Sequence, residues 1–118
     1  MKWSRQPQIR EKWPELALLH HIPNGGKRDA IEAKHLKSEG VKSGVPDLHL
    51  PVAKGKYHGL FIELKTEKGR ASEAQKWWIN KLNSYGNCAI VCYGWQNAVD
   101  VLEWYLEGAN DHENGKLK

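Results

Sequence analysis

Two acidic side chains and a lysine lie where strands of this chain are predicted to end. Asp47 opens a short run in which apolar and polar residues alternate. Glu63 and Lys65 are two residues apart in the apolar run Leu60–Lys65, so on a strand both side chains point to the same face. The segment between the runs has the composition of a hairpin loop, which returns the second strand beside the first. We therefore expect Asp47, Glu63 and Lys65 to converge at one edge of a sheet.

Such a cluster suits metal-assisted hydrolysis of a phosphodiester. Two carboxylates in a partly buried pocket repel each other, so one of them takes up a proton or a cation joins them. Mg²⁺ prefers oxygen ligands and often uses only one or two protein carboxylates. A neighbouring ammonium group can orient water or neutralise charge that develops on the phosphate. In the simpler alternative, Glu63 and Lys65 are solvent-facing charges that protect an edge strand.

The order of the motifs along the chain resembles a known nuclease superfamily. Pro46-Asp47 is followed, sixteen positions after the aspartate, by Glu63-Leu64-Lys65, as in the PD-(D/E)xK nucleases. Four blocks together resemble the VRR-NUC family of virus-type replication-repair nucleases, over roughly residues 16 to 106; they are Ile22–Arg28, Gly40–Asp47, Gly59–Lys65 and Ser72–Trp78. A single Pro-Asp or Glu-x-Lys motif would be weak evidence, whereas four blocks in this order are specific.

The resemblance implies both a cofactor and a set of site residues. Asp47 and Glu63 would bind Mg²⁺ or Mn²⁺ together with the backbone carbonyl of Leu64, and Lys65 would position the attacking water or stabilise the transition state. Members of the family also place an acidic residue from an N-terminal helix at the metal. Glu11 is the better candidate for that ligand here, and a helix upstream of this chain's first residue is the alternative.

Further polar residues are candidates for the site or for DNA contacts. Gln75 matches a glutamine of the family pattern that could face the metal site, but it could equally complete a helix cap with Ser72. The remaining candidates lie in turns and loops, where backbone phosphates could be bound; they are Asn24, Lys27, Arg28, Lys42, Ser43, Lys68 and Arg70.

The hydrophobic pattern predicts an α/β fold, a mixed β-sheet flanked by helices, and the resemblance specifies it as restriction-endonuclease-like. Strands are predicted at residues 16–22, 47–52, 57–65 and 88–93, and helices at 27–39, 73–85 and 95–106. In the second helix Ala74, Trp78, Leu82 and Tyr85 form an apolar stripe. The predicted inner face of the last helix consists of Trp95, Ala98, Val99, Leu102 and Leu106. We expect an N-terminal segment (1–15), a nuclease domain (16–107) and a polar tail (108–118).

Length, charge and composition indicate which classes of protein this chain can belong to. The chain has 118 residues, enough for one hydrophobic core, and a formal charge of +4, which suits a polyanionic partner. No apolar run approaches the length of a membrane span, and no signal-peptide core is present near the start. Cys88 and Cys92 are expected to be buried, reduced thiols in a cytoplasmic protein, and the family suggests a phage or prophage origin.

The function predicted at this stage is a Mg²⁺- or Mn²⁺-dependent DNA endonuclease. By resemblance to stand-alone family members, it would resolve four-way (Holliday) junctions as a homodimer, because a two-fold protein suits a two-fold substrate. The alternatives are a monomeric flap or end-processing nuclease, a non-catalytic DNA-binding module and a sequence-specific toxin or restriction nuclease.

Overall fold

The computed structural model describes residues 2–23, 40 and 42–110, which form a small set of helices and strands. The helices are α1 (Pro7–Lys12), α2 (Glu73–Ser84) and α3 (Trp95–Leu106), with short 3₁₀ helices at Trp3–Arg5 and Pro14–Leu18. The strands are β1 (His20–His21), β2 (Leu48–Leu50), β3 (Leu60–Lys65) and β4 (Cys88–Tyr93). The predicted helix at 27–39 lies outside the described residues.

The strands form one mixed sheet in the order β1-β2-β3-β4. β2 pairs antiparallel with both β1 and β3, whereas β3 and β4 are parallel. A parallel pair needs a long crossover connection, and α2 provides it between β3 and β4. The predicted α/β class, a mixed sheet flanked by helices, is confirmed.

The two faces of the sheet have different environments. On β3 the side chains of Leu60 and Ile62 point to the face that α3 covers, and both are buried in the main core cluster. Tyr105 of α3 is fully buried there, and its hydroxyl donates a 2.6 Å hydrogen bond to the carbonyl of Val52. Because side chains alternate along a strand, Glu63 projects from the opposite face. The core therefore lies on one side of β3 and the charged residues on the other.

The first strand is much shorter than predicted. The apolar run at 16–22 is helical through Leu18, in the 3₁₀ helix that Pro14 opens, and only His20–His21 is strand. A short apolar run does not by itself distinguish a strand from a buried helical turn. Leu16 occupies a core position, 1% exposed, that this 3₁₀ helix provides.

Strands β2 and β3 are also shorter than predicted at the ends that the hairpin loop joins. β2 ends at Leu50, immediately before Pro51, which has no N–H to donate to a partner strand. The tip of the hairpin is held by an isolated bridge between Lys54 and Tyr57. β3 consequently begins at Leu60.

The predicted inner faces of α2 and α3 are only partly correct. α2 contains no fully buried residue, and Tyr85, predicted to pack inward, is 78% exposed. In α3 the predicted core residues Ala98, Leu102 and Leu106 are buried, but Trp95 is 55% exposed. Trp95 is the first residue of its helix, so it lies at the end of the packed face rather than within it.

Asparagine side chains cover the outer edge of β4. The side chain of Asn83, from α2, accepts a hydrogen bond from the N–H of Ala89 at 2.8 Å and donates one to its carbonyl at 3.0 Å. Asn97, from α3, accepts a hydrogen bond from the N–H of Tyr93 at 2.8 Å. In the described part of the chain β4 is a terminal strand, so these bonds pair backbone groups that would otherwise form an open edge.

Other expectations concerned cysteines and membranes. Cys88 and Cys92 are buried and unbridged, as predicted. None of the helices in the described residues is long and apolar enough to cross a bilayer.

Candidate active site

The pairing of β2 with β3 brings the two predicted carboxylates together. Leu48 lies opposite Ile62, so continuing the register by one residue places Asp47 opposite Glu63. Residues opposite each other in an antiparallel pair project to the same face. The N–H of Leu64 donates a 2.8 Å hydrogen bond to Oδ2 of Asp47, which fixes this carboxylate beside β3. The predicted convergence of Asp47 and Glu63 is observed.

The loop before Asp47 is held against the start of α2. Gly44 has φ +87°, and a Cβ atom at this position would lie 2.7 Å from the backbone carbonyl carbon of Ala74. Glycine is therefore required both by conformation and by the close approach of the helix. The indole N–H of Trp78 donates a hydrogen bond to the carbonyl of Ser43 at 3.2 Å. Helix α2 thus helps to position the loop that delivers Asp47.

Glu63 is a buried acid with a raised pKa. Its residue is only 2% exposed, and its Oε1 atom has no hydrogen-bond partner within the described structure. Burial, reinforced by the negative charge of Asp47, raises the pKa of Glu63 to about 7, against the opposing effect of the Lys65 ammonium. A neutral acid or a carboxylate paired with a cation is favoured in such a place.

Two side chains contact the other oxygen of Glu63. The ammonium of Lys65 lies 3.5 Å from Oε2, and the side-chain amide of Gln75 donates a 3.1 Å hydrogen bond to the same atom. The Oε1 atom of Gln75 accepts from the N–H of Ser72, whose hydroxyl in turn accepts from the N–H of Gln75. Gln75 therefore has both roles that its sequence position suggested, since it caps α2 and reaches the site.

The donor set fits a hard divalent cation. Asp47 and Glu63 supply carboxylate oxygens, and the unpartnered Oε1 of Glu63 is a buried oxygen that a cation would satisfy. Because a strand residue projects its N–H and C=O to the same side, the carbonyl of Leu64 points toward the side on which Asp47 accepts its N–H. The predicted ligands Asp47, Glu63 and Leu64 are thus neighbours.

The structure does not bring the predicted N-terminal ligand to these residues. Glu11 is an exposed residue near the end of α1. Across the described residues no group of three or more Asp, Glu, His or Cys side chains is arranged to hold a metal ion. α1 is only six residues long, and Trp13 and Pro14 end it, which leaves Glu11 on a short surface turn. Glu15 instead pairs with Lys54 at 2.9 Å.

Four of the predicted DNA contacts surround the same end of β3. Lys42 and Ser43 lie in the loop before Asp47, and Lys68 and Arg70 lie between the end of β3 and the start of α2; all four are exposed. This arrangement places their side chains within the two segments that border the carboxylates. Asn24, Lys27 and Arg28 lie outside the described residues.

Comparison with known proteins identifies the family. The family model for the VRR-NUC domain matches residues 2–96. The chain belongs to the VRR-NUC family. Two solved chains also match. One of them, a VRR_NUC domain protein, has a TM-score of 0.68 and is 38% identical, with 78% of this chain and 69% of that chain covered. The comparison with curated proteins gives no significant match.

VRR-NUC membership confirms the resemblance drawn from the four sequence blocks. The VRR-NUC domain is a nuclease domain, so a nucleic acid is the class of molecule that it acts on. The clustering of Asp47, Glu63 and Lys65 is a separate, geometric observation in the same chain.

Sequence reasoning did not predict the contacts by which several residues of this VRR-NUC domain support or border the site. Trp78 and Gly44, which fix the loop before Asp47, are examples. The rings of His49 and Phe61 stack at 4.0 Å on the face of the sheet that Glu63 shares. A glycine just before a predicted catalytic residue is a sequence signal for a positive φ, which Gly44 has. The contact between Trp78 and Ser43 joins residues 35 positions apart, so no local sequence pattern predicts it.

Proposed function

We propose that this chain is a metal-dependent DNA endonuclease of the PD-(D/E)xK type. The observation that carries the proposal is the buried Oε1 of Glu63, which has no hydrogen-bond partner among residues 2–23, 40 and 42–110, in a carboxyl group that lies against Asp47. Asp47, Glu63 and the carbonyl of Leu64 would hold Mg²⁺ or Mn²⁺. When bound, the ion supplies Lewis-acid activation of water and neutralises charge on the phosphate.

The chain's own residues prepare the site for this chemistry. The N–H of Leu64 orients Asp47, and the amide of Gln75 orients Glu63. The side chain of Lys65 is 20% exposed, so it is held near the carboxylates while remaining accessible to a phosphate from solvent. A cation in that position stabilises the negative charge that develops on the phosphate oxygens during attack. Exposed basic residues on both bordering loops, Lys42 and Lys68 among them, provide contacts for the DNA backbone.

The biological substrate proposed is a four-way DNA junction, cut by a homodimer. A two-fold dimer presents two equivalent sites, which matches the two symmetric cuts that resolution of a junction needs. The alternatives are a monomeric nuclease that acts on flaps or ends and a non-catalytic DNA-binding module.

A cleavage panel tests the proposal. Labelled linear, flap and four-way DNAs are incubated with Mg²⁺, Mn²⁺ or a chelator, for the wild type and for Lys65→Ala. We expect cleavage of the four-way DNA with either metal, none with chelator, and a loss of about 100-fold or more in Lys65→Ala with little change in DNA affinity. Preferred cutting of flaps would support the first alternative. A wild type that binds DNA but never cuts would support the binding module.

A further inference from the structure

A basic, tryptophan-lined groove lies on the side of the sheet opposite the carboxylates. It consists of two cavities, of about 400 Å³ and about 200 Å³, that share Arg5 and Trp95. Lys2 and Trp3 line the larger cavity, and Arg10 and His21 line the smaller one. Of the described residues that line either cavity, none is acidic. We refer to this surface as the Trp95 groove.

The cations of the Trp95 groove are available to a ligand. Lys2 and Arg5 are exposed, and no ion pair within the described structure involves either of them. Arg10 donates from Nε to the carbonyl of Ser4 at 3.2 Å, a contact that holds the side chain in place and does not neutralise its charge. Three positive charges with no carboxylate partner among the described residues form a surface complementary to a polyanion.

Trp95 adds an aromatic surface to these charges. It is a large hydrophobic side chain left 55% exposed, and it lies where the two cavities meet. A tryptophan face beside cations is the arrangement that binds unpaired nucleotides, because every base can stack on it while the cations neutralise the phosphates. A continuous duplex has its bases already stacked and gains less from such a face.

The Trp95 groove is next to the proposed site along the chain. Lys65 pairs with Tyr93 across β3 and β4, and the N–H of Gly94 donates a 2.9 Å hydrogen bond to the carbonyl of Lys65. Trp95 is therefore one residue away from a direct backbone link to Lys65. A second connection runs through β2, where Leu48 lines the smaller cavity and directly follows Asp47. The groove and the carboxylates thus lie at the same end of the sheet, on its two opposite faces.

We infer that the Trp95 groove binds an unpaired segment of the DNA strand adjacent to the cleaved phosphate. This inference rests on the proposed nuclease function and adds a specific surface to it: a base stacks on Trp95, while Lys2, Arg5 and Arg10 contact neighbouring phosphates. It gives the proposed endonuclease a preference for DNA with unstacked nucleotides at its branch point, as in an open junction.

The test measures binding separately from cleavage. Fluorescence anisotropy of labelled DNA is recorded in chelator, with a forked DNA that has single-stranded arms and with a continuous duplex of the same length. We expect Trp95→Ala to weaken binding of the forked DNA by about 5- to 100-fold and binding of the duplex by less than about 2-fold. Trp95→Phe should retain most of the affinity, since it keeps an aromatic face.

Charge variants test the phosphate contacts. Arg5→Glu should weaken binding of the forked DNA and lower the slope of log affinity against log salt by about 1. Lys12→Glu is the matched control, because Lys12 is an exposed cation in the same N-terminal segment that does not line either cavity. It should weaken binding much less than Arg5→Glu, and circular dichroism verifies that all variants are folded.

The outcomes separate this inference from the proposed function. If Trp95→Ala and Arg5→Glu bind both DNAs as the wild type does while the wild type cuts DNA with metal, the groove is not a strand-binding surface and the inference is wrong. Equal losses for Arg5→Glu and Lys12→Glu would also overturn it, since they indicate a general charge effect. If the wild type neither binds nor cuts any DNA, the proposed function itself fails.

Discussion

At the scale of single residues, Glu63 connects protonation, metal binding and stability. The acid is held with its pKa raised to about 7, mainly by burial, so near neutral pH the folded protein without metal keeps a proton that the unfolded chain releases. A divalent cation would compete with this proton for the same oxygen atoms. Acidic solutions are therefore expected to oppose metal binding.

The first prediction follows from that titration. In chelator, the free energy of unfolding of the wild type should fall as the pH rises from about 4.5 to about 7, by up to about 3 kcal/mol, because over this range the unfolded chain releases the Glu63 proton whereas the folded state retains it. Glu63→Gln, which stays neutral, should lack this component. Urea unfolding at several pH values measures the difference between the two proteins.

Metal addition completes the same experiment. At pH 8, Mn²⁺ should stabilise the wild type but not Glu63→Gln, and the stabilisation of the wild type should shrink toward pH 5.5. Parallel pH curves for the two proteins in chelator would show that Glu63 is an ordinary carboxylate.

The second prediction separates the two contacts of Gln75. Glutamate also serves as the third residue of a capping box, so Gln75→Glu should keep the stability of α2. It removes the amide that donates to Glu63 and adds a second negative charge there, so cleavage should fall by about 10-fold or more.

Ser72→Ala is the matched variant for the cap. It removes the hydroxyl that accepts from the N–H of Gln75 and should cost about 1 kcal/mol in unfolding free energy, with a smaller effect on cleavage. Rate and stability are measured for both variants. If Gln75→Glu cuts DNA as fast as the wild type, Gln75 serves only as a cap.

At the scale of secondary-structure elements, side chains of α2 and α3 form hydrogen bonds with the exposed backbone edge of β4. The side chain of Asn83 takes the place of a neighbouring strand, because it forms hydrogen bonds with both the N–H and the C=O of Ala89. Asn97 accepts a hydrogen bond from the N–H of Tyr93, farther along the same edge of β4. α2 is thereby attached to the sheet through hydrogen bonds as well as through apolar contacts. This explains how a helix without a fully buried residue holds a defined place.

The third prediction concerns this attachment. Asn83→Ala should lower the free energy of unfolding by about 1–3 kcal/mol, because it leaves the N–H and C=O of Ala89 without their partners. Asn80→Ala is the control, since Asn80 is an exposed asparagine of the same helix and forms none of the hydrogen bonds described above. Alanine favours the helix at both positions, so a stability no lower than that of the control would contradict the role assigned to Asn83.

The acid pair was predictable from sequence because charged residues stand out in apolar strands. The apolar pattern located the strands that contain Glu63 and follow Asp47, and Ser72 and Gln75 marked the start of α2. These features depend on residues near one another in sequence. The extent of β1 and the exposure of Trp95 and Tyr85 depend on which elements pack beside them, and no local pattern encodes that.

At the scale of the whole molecule, two exposed aromatic side chains lie together at α2, one on the helix and one at its C-terminal cap. Trp77 is 55% exposed and Tyr85 is 78% exposed, beside a cavity of about 420 Å³ that Trp78 and Leu82 also line. Exposed apolar surface of this kind is typical of interfaces. In a two-fold dimer the same patch can contact its own copy. The α2 surface is therefore where we place the contact of the proposed homodimer.

The fourth prediction tests that contact. Light scattering should give twice the 13.5 kDa mass of the chain for the wild type and the monomer mass for the double variant Trp77→Ser, Tyr85→Ser. The matched control is Leu18→Ser, because Leu18 is 53% exposed and lies outside α2. A wild type that is monomeric at all accessible concentrations would instead favour the monomeric flap nuclease.

The hydrogen bond from Gly94 to Lys65 has one more consequence. One hydrogen bond and one peptide bond join the backbone of Lys65, whose amine would assist the chemistry, to the tryptophan on the far side of the sheet. A DNA strand that shifts Trp95 would therefore also shift the backbone of Lys65 through this short connection, without any domain movement. Binding in the Trp95 groove would in this way alter the position of Lys65 before cleavage.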